Sequence, residues 1–552
     1  MLTDLLGVFG LLVVLLRAAI LCFQTIAVGG IIFLFVVARA VQSGQESWLN
    51  PATWLIRWSA LALAVAQVSF VISNTLVLTS SADLSIGEAL GANYVIAGVL
   101  AIAAGLVVFF LPTGPRDRAT PLFLIPAAAM IVSSVMTSHS ASRIEDRDVL
   151  AVFMTIHYLA TASWIGGLPY LLFVTKNAID LDVLACVCRR FSRLAQISVA
   201  LLFAAGLGLS IWYVGSWDAI YGTAYGLMVS TKLIFFGCLL LLGAANYFLV
   251  RAIGERSEDP DTLISLIRFA EVEIGIGLTV ILAAASLTSQ PPGVDLTQNR
   301  VTLHEIARRY APRMPRLSSP DVKQLAGSSK EIRRRAEAEG RRLPSAFVPG
   351  ADGLSVNTPA DIAWSEYNHS WAGIFVLLTG LLALLSRSKH FAWAKMWPLI
   401  FLGLAVFLFL RSDPENWPLG PNGFWESFAV SEVLQHRVAV ILVIVFAIFQ
   451  WRVETNRVQS QFAALVFPAV CALGGIILLT HTHGLSNVKE ELLIELSHTP
   501  LAILAVIAGW SRWLELRLPE SIRTRKGLAW VWPVCFIMIG LILMGYHEAD
   551  IA

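Results

Sequence analysis

Charge is scarce in this sequence. Only 14% of its 552 residues are charged and 57% are hydrophobic, whereas a soluble domain carries roughly a quarter charged residues. That balance excludes a water-soluble globule, and a mean hydropathy of +0.71 agrees. The formal net charge of +2 is too near neutral for a nucleic-acid partner. Cysteine is also scarce. The six present, Cys22, Cys186, Cys188, Cys238, Cys471 and Cys535, sit mostly in apolar runs, which speaks against a disulfide framework and for packing as small hydrophobes. There is no phosphate-binding glycine loop, no dinucleotide glycine pattern, and no nucleophile with a base at motif spacing. ATP-driven transport by this chain and hydrolytic catalysis therefore have no support, and the expectation is a protein that is not an enzyme. The opening MLTDLLGVFG lacks the basic segment of a signal peptide and runs straight into apolar sequence, so it reads as the start of a first span.

What is present in abundance is long apolar runs. Fourteen of them are long enough for a hydrocarbon core of about 30 Å, among them 120–138, 150–175, 226–250 and 264–287. The expected fold class is all-α, a polytopic transmembrane helical bundle. Lys and Arg then orient it, because short cytoplasmic loops retain them. Nineteen fall in one set of alternate short loops and four, Arg143, Arg147, Arg411 and Lys489, in the other. Both termini are accordingly expected outside. Residues 288–368 are a polar outer insertion containing the basic, helix-capable DVKQLAGSSKEIRRRAEAEGRR from Asp321, which reads as a solvated or membrane-surface helix. It separates an eight-span unit, 1–287, from a six-span unit, 369–552.

On this topology nine of the ten histidines fall on the outer side. His139 closes the fourth span, His157 lies about 10 Å deep in the fifth, His369 opens the ninth, and His436 lies just inside the eleventh. His481 and His483 close the twelfth, His498 opens the thirteenth, His547 follows the last, and His304 is in the insertion. Only His390 is cytoplasmic. An ionisable group inside a bilayer is a functional-site hypothesis, although histidine also serves as an ordinary interfacial cap.

Two local patterns point to a metal. MTSH pairs Met136 with His139, and MTIH pairs Met154 with His157, each placing a thioether and an imidazole at i, i+3 on one helix face. Thioether with imidazole suits copper, Cu(I) especially. Methionine is equally an apolar filler. In the six-span unit, HTHGLSNVKEELLIELSHTP brings His481 and His483 together and puts Glu491, Glu495 and His498 on one helical face, with His436 on a neighbouring span. That is a mixed imidazole and carboxylate candidate, or an amphipathic interfacial helix. Facing histidines also hold haem b between helices, so a redox alternative takes His157, His436 and His498 as axial candidates. Other buried polar groups are Lys232, which can snorkel, and Glu271 with Glu273, for which pairing with a basic group is the expectation and an ion path the alternative. The ACVCRRF stretch places Cys186 and Cys188 in a cytoplasmic loop.

The SHSA around His139, IHYLATASWIGGLPYLL from Ile156, RFSRLAQISVALLFAAGLGLS from Arg190 and TAYGLMVSTKLIFFGCLLLLGAANYFLV from Thr223 resemble the copper-resistance membrane protein D family (CopD/PcoD). The likeness is good over roughly 130–250 and looser over the eight-span unit. EYNHSWAGIFV, RSDPENWPLG, LQHRV and HTHGL look like the C-terminal membrane extension of longer relatives. The resemblance implies a multi-pass protein of the bacterial inner membrane that moves copper with periplasmic copper-binding partners. The sequence departs from a storage protein in having no Met-rich or His-rich tail. Copper transport or uptake is the expected function, with Met136, His139, Met154 and His157 as the chief ligands. A haem b redox protein and a copper-presenting assembly factor are the alternatives.

Overall fold

In a bilayer every backbone N–H and C=O must find its partner inside the chain, and a helix does this within one segment. The computed structural model is accordingly helical, with no strand among the described residues. It describes residues 2–38, 49–81, 85–111, 121–177, 181–255, 260–287, 290–298, 300–321, 359–413, 416–420, 423–427, 431–480 and 489–547. Two compact units emerge, Met1–Arg300 and Val301–Ala552, divided within the polar insertion.

The first unit contains α1 (Leu2–Ile32), α2 (Leu49–Ser81), α3 (Ile86–Leu90), α4 (Asn93–Phe110), α5 (Leu124–Met136), α6 (His139–Ser142), α7 (Arg147–Trp164), α8 (Leu168–Asn177), α9 (Leu181–Tyr213), α10 (Trp217–Gly222), α11 (Ala224–Glu255) and α12 (Pro260–Leu287). Helix α1 packs on α2, α7 and α12, α7 packs on α9, and α11 packs on α12. The second contains α13 (Leu303–Arg309), α14 (Pro359–Leu385), α15 (Ile400–Arg411), α16 (Phe424–Ser427), α17 (Ser431–Glu454), α18 (Gln461–Ala464), α19 (Val466–Thr480), α20 (Lys489–Arg517) and α21 (Arg523–Met544). Here α14 packs on α21, α19 on α20, and α20 on α21. Trp397, Phe467 and Trp532 form the buried aromatic centre of this unit.

Among the described residues twelve helices are long and apolar enough to cross a membrane, against the fourteen expected runs. The other two are also helices. The run 120–138 yields α5, which has 13 residues. The run 264–287 yields α12, which has 28 residues, carries Glu271 and Glu273, and buries Phe269, Glu273 and Ile276 among its neighbours. Cys186 and Cys188 belong to the first turns of α9 rather than to a loop, because the apolar pattern of that helix continues through them. All six cysteines are unbridged.

The fifth expected span is broken. Helix α7 stops at Trp164, Gly166 N–H reaches back to the Thr161 carbonyl at 3.3 Å, and α8 starts at Leu168. Two glycines let the backbones touch here. A Cβ on Gly166 would lie 2.0 Å from the Thr25 carbonyl oxygen of α1, and one on Gly29 would lie 2.3 Å from the Ala162 oxygen of α7. Any side chain would force these helices apart. The Tyr170 hydroxyl closes the contact by donating to the Ile26 carbonyl at 2.9 Å.

Candidate metal centre

Helix α6 is a single turn held between α5 and α7, and its first residue is His139. The α6–α7 connection is pinned from outside. Arg143 pairs with Asp295 at 2.7 Å, and Trp212 Nε1 donates to Asp146 at 2.9 Å. The His139 ring lies against Tyr213 and Tyr225, with centroids 6.1 Å and 6.3 Å away, and it hydrogen-bonds the Leu287 carbonyl. Burial is the main reason its pKa falls below the ordinary imidazole value. Arg17 and Arg143 push it the same way, against the Leu287 carbonyl and Asp295. The lowering favours the neutral imidazole, the form that binds a metal.

Tyr213, Tyr225, Leu150 and Leu287 belong to one buried apolar cluster, which also contains Met228 of α11. Met154 packs against the same cluster. The Ser286 hydroxyl lies 3.9 Å from the Met228 sulfur. The structure therefore gathers one imidazole and two thioethers, His139, Met154 and Met228, around a pair of tyrosines. Met136, the last residue of α5, is half-buried and stands outside this cluster. Met228 had no distinguishing mark in the sequence, because a methionine in the apolar TAYGLMVSTK run reads as filler until its facing helix is known.

His157 lies one turn deeper on α7. Its Nδ1 is buried without a hydrogen-bond partner, and Lys232 of α11 is the charged group that acts on it. Met228 and Lys232 are i, i+4 on α11, as Met154 and His157 are i, i+3 on α7, so each helix turns a thioether and a nitrogen base along one face. Deeper still, the Trp164 ring meets Phe236 at 6.3 Å. A separate polar cavity between α1, α2, α5 and α7 is lined by Arg17, Gln67, Phe70, Ser134, Thr137 and Tyr158. Arg17 donates to the Thr137 carbonyl at 3.3 Å there.

The second unit distributes its histidines differently. His436 Nδ1 lies 2.7 Å from Asp413 Oδ1. His498 Nδ1 bonds the Ile494 carbonyl at 2.9 Å, and its ring meets His369 at 5.9 Å. His369 bonds the Ser365 carbonyl through Nδ1 at 2.8 Å and stacks on Tyr546 at 3.9 Å. Arg309 lies over the Tyr546 ring, 4.7 Å from its centroid, with Nε donating to Ser497 Oγ at 2.8 Å. His498 thus meets His369, a pairing the sequence did not suggest. Glu495 is buried. His481, His483 and the side chain of Glu491 lie outside the described residues. Of the three haem candidates, His157 is in the first unit, and His436 and His498 are in the second. Among the described residues no three His, Cys, Asp or Glu side chains group closely enough to hold a metal, which leaves the thioether-containing cluster as the candidate.

Residues 185–287 match the family model described as copper resistance protein D. Over 165 residues the chain is 29% identical to the copper transport protein CutJ of Bacillus subtilis (strain 168), a stretch covering 29% of either chain. The chain thus matches well under two thirds of that relative's length. No solved structure matches. The family match takes in Met228, Lys232 and Glu273 and stops short of His139, Met154 and His157. With membrane-length apolar helices in both units and α9, α11 and α12 carrying the matched stretch, the chain is a multi-pass membrane protein whose residues 185–287 are similar to the copper resistance protein D family.

Proposed function

We propose that this protein moves copper across a bacterial cell membrane, taking Cu(I) at the outer end of its first unit. The observation that carries the reading is the convergence of His139, Met154 and Met228 on one buried tyrosine cluster. Neutral imidazole and thioether are soft ligands that favour Cu(I) over oxygen-seeking cations. The likeness to a copper transport protein supports the same cargo. His157 and Lys232, one turn deeper, line the next stage inward, with Met136 near the entrance. The uneven Lys and Arg distribution supports fourteen spans with both termini outside, an eight-span copper unit through residue 287 and a six-span unit from residue 369. A periplasmic copper-binding protein would deliver the ion.

The test is to purify the full chain and measure bound Cu(I), then uptake into sealed vesicles. Wild type is expected to bind and to transport. Binding without uptake would mean a copper-presenting factor. Retention of full copper binding by His139→Ala with Met228→Leu would sink the proposed site.

A further inference from the structure

Helix α12 carries two glutamates two positions apart, and successive positions on a helix turn by about 100°, so the two carboxyls face different surroundings. Glu271 is ion-paired, with Arg268 Nη1 at 2.6 Å and Lys176 Nζ at 3.9 Å. Glu273 is only 2% exposed. Its partner is neutral: Asn246 Nδ2 of α11 donates to Glu273 Oε2 at 2.9 Å. Two acceptors of this pair, Glu273 Oε1 and Asn246 Oδ1, are buried and lack a hydrogen-bond partner. Gly243, one turn before Asn246, leaves the carboxyl room against α11. A Cβ there would lie 3.2 Å from Glu273 Oε1 and 3.9 Å from the Trp164 ring.

A buried carboxylate held by a single amide is costly, and so is a buried acceptor with no donor. Both costs fall with one change. A proton on the carboxyl removes the charge and supplies the donor that the pair is missing. Among the described residues the neighbouring elements offer no cation to do this instead. Helix α1 has no charged side chain from Ala18 to its end at Ile32, its titratable Cys22 can carry no positive charge, and Arg17 is engaged with Thr137. On α11, Lys232 acts on His157, Cys238 is a thiol, and Arg251 lies beyond Asn246. Lys176 of α8 and Arg268 of α12 both serve Glu271. Helix α7 presents the Trp164 ring.

We propose that Glu273 is a proton-binding coupling site, its carboxyl taking up and releasing one proton per transport cycle while Asn246 holds the protonated form. This rests on the transport reading above. An O–H bond forms on Glu273 as a proton leaves water and breaks as the proton returns. No electron moves.

Two measurements on the full-length protein test it. The first is an infrared pH titration without copper. Wild type should show a protonated-carboxyl stretch that Glu273→Gln abolishes and Glu273→Asp retains at a shifted frequency. If Glu273→Gln leaves the carboxyl bands unchanged, the proton site is overturned whatever copper does. The second is Cu(I) uptake into vesicles with and without a pH gradient. Wild type should respond by about fivefold or more, in the range of measured coupling between sites, and Glu273→Gln should not respond. A Glu273→Gln protein that still binds Cu(I) and keeps the gradient response overturns the coupling. Absence of any copper uptake by wild type overturns the transport reading instead, and the infrared result then decides the proton site alone.

Discussion

The two membrane units treat histidine in opposite ways. In the first, half-buried His139 has its pKa lowered by burial, and its ring lies against two tyrosines of a cluster that holds Met228 and packs against Met154. In the second, His369 and His498 sit among Tyr546, Ser497 and a buried Arg309, and His436 is committed to Asp413. Thioether beside imidazole is a setting for a soft cation. An arginine beside an imidazole pair repels a cation and suits an aromatic stack. Histidine count alone favoured the second unit. The company each histidine keeps favours the first.

The largest effect that can break this comparison is in copper binding. His139→Ala with Met228→Leu should weaken Cu(I) binding by about a hundredfold, equivalent to roughly 2.7 kcal/mol. His369→Ala with His498→Ala should leave the affinity within about twofold, well under 1 kcal/mol. Competition against a chromophoric Cu(I) chelator in detergent measures both. Equal losses in the two variants would make the units equivalent and undo the distinction.

Next in size is packing. Gly166→Ala would drive a methyl to 2.0 Å from the Thr25 oxygen, a backbone atom that cannot turn aside, and should cost about 1–3 kcal/mol. Gly474→Ala in the second unit meets nothing within 4 Å and should be neutral or gain about 0.5–1 kcal/mol from helix propensity. Thermal unfolding in detergent reads the pair. A Gly166→Ala protein as stable as wild type would mean that the contact between α1 and α7 is not tight.

The pH response of the first unit is smaller and has a defined sign. Because His139 has a lowered pKa in the folded protein, the unfolded chain binds the proton more readily. Stability is therefore lost as pH falls below the ordinary 6.5 toward the lowered value. His139→Gln removes this group and should flatten the stability profile over that acidic window. For the same reason Cu(I) binding by wild type should persist below the ordinary imidazole range. A profile identical in wild type and variant would show that the imidazole is not held neutral by its surroundings.

Most of the helical framework was legible in the sequence, because a bilayer demands long apolar runs and those runs are contiguous. The break at Gly166 and Gly167 was not, since the run 150–175 reads as one continuous span and paired small residues signal only close approach. Partners across the bundle were not. Met228 matters only because α11 turns it toward the cluster that Met154 and Tyr213 occupy. His369 pairs with His498 through a meeting of α14 and α20 that no spacing along the chain encodes. Glu271 and Glu273 were expected to share one fate, an ionic pairing. Their positions on α12 imply different faces, but only the fold shows that one faces Arg268 and the other Asn246.

The sharpest small test lies at His436. Its Nδ1 is 2.7 Å from Asp413, whose side chain is 7% exposed, while the histidine side chain is 41% exposed. A carboxylate behind an imidazole is also how many metal-bound histidines are oriented, leaving Nε2 for the ion. The contact by itself fits a metal ligand and a structural cap equally well. What separates them is a further ligand, and among the described residues no third His, Cys, Asp or Glu joins the pair. As a cap with one partner half in solvent, the contact should be worth under about 1 kcal/mol. Asp413→Asn keeps the shape and a hydrogen-bond acceptor, so it should shift the unfolding temperature only slightly and leave copper stoichiometry unchanged. A drop in bound copper in Asp413→Asn would place a second metal site in this unit, and the contrast between the two units would become one of ligand type, sulfur against oxygen.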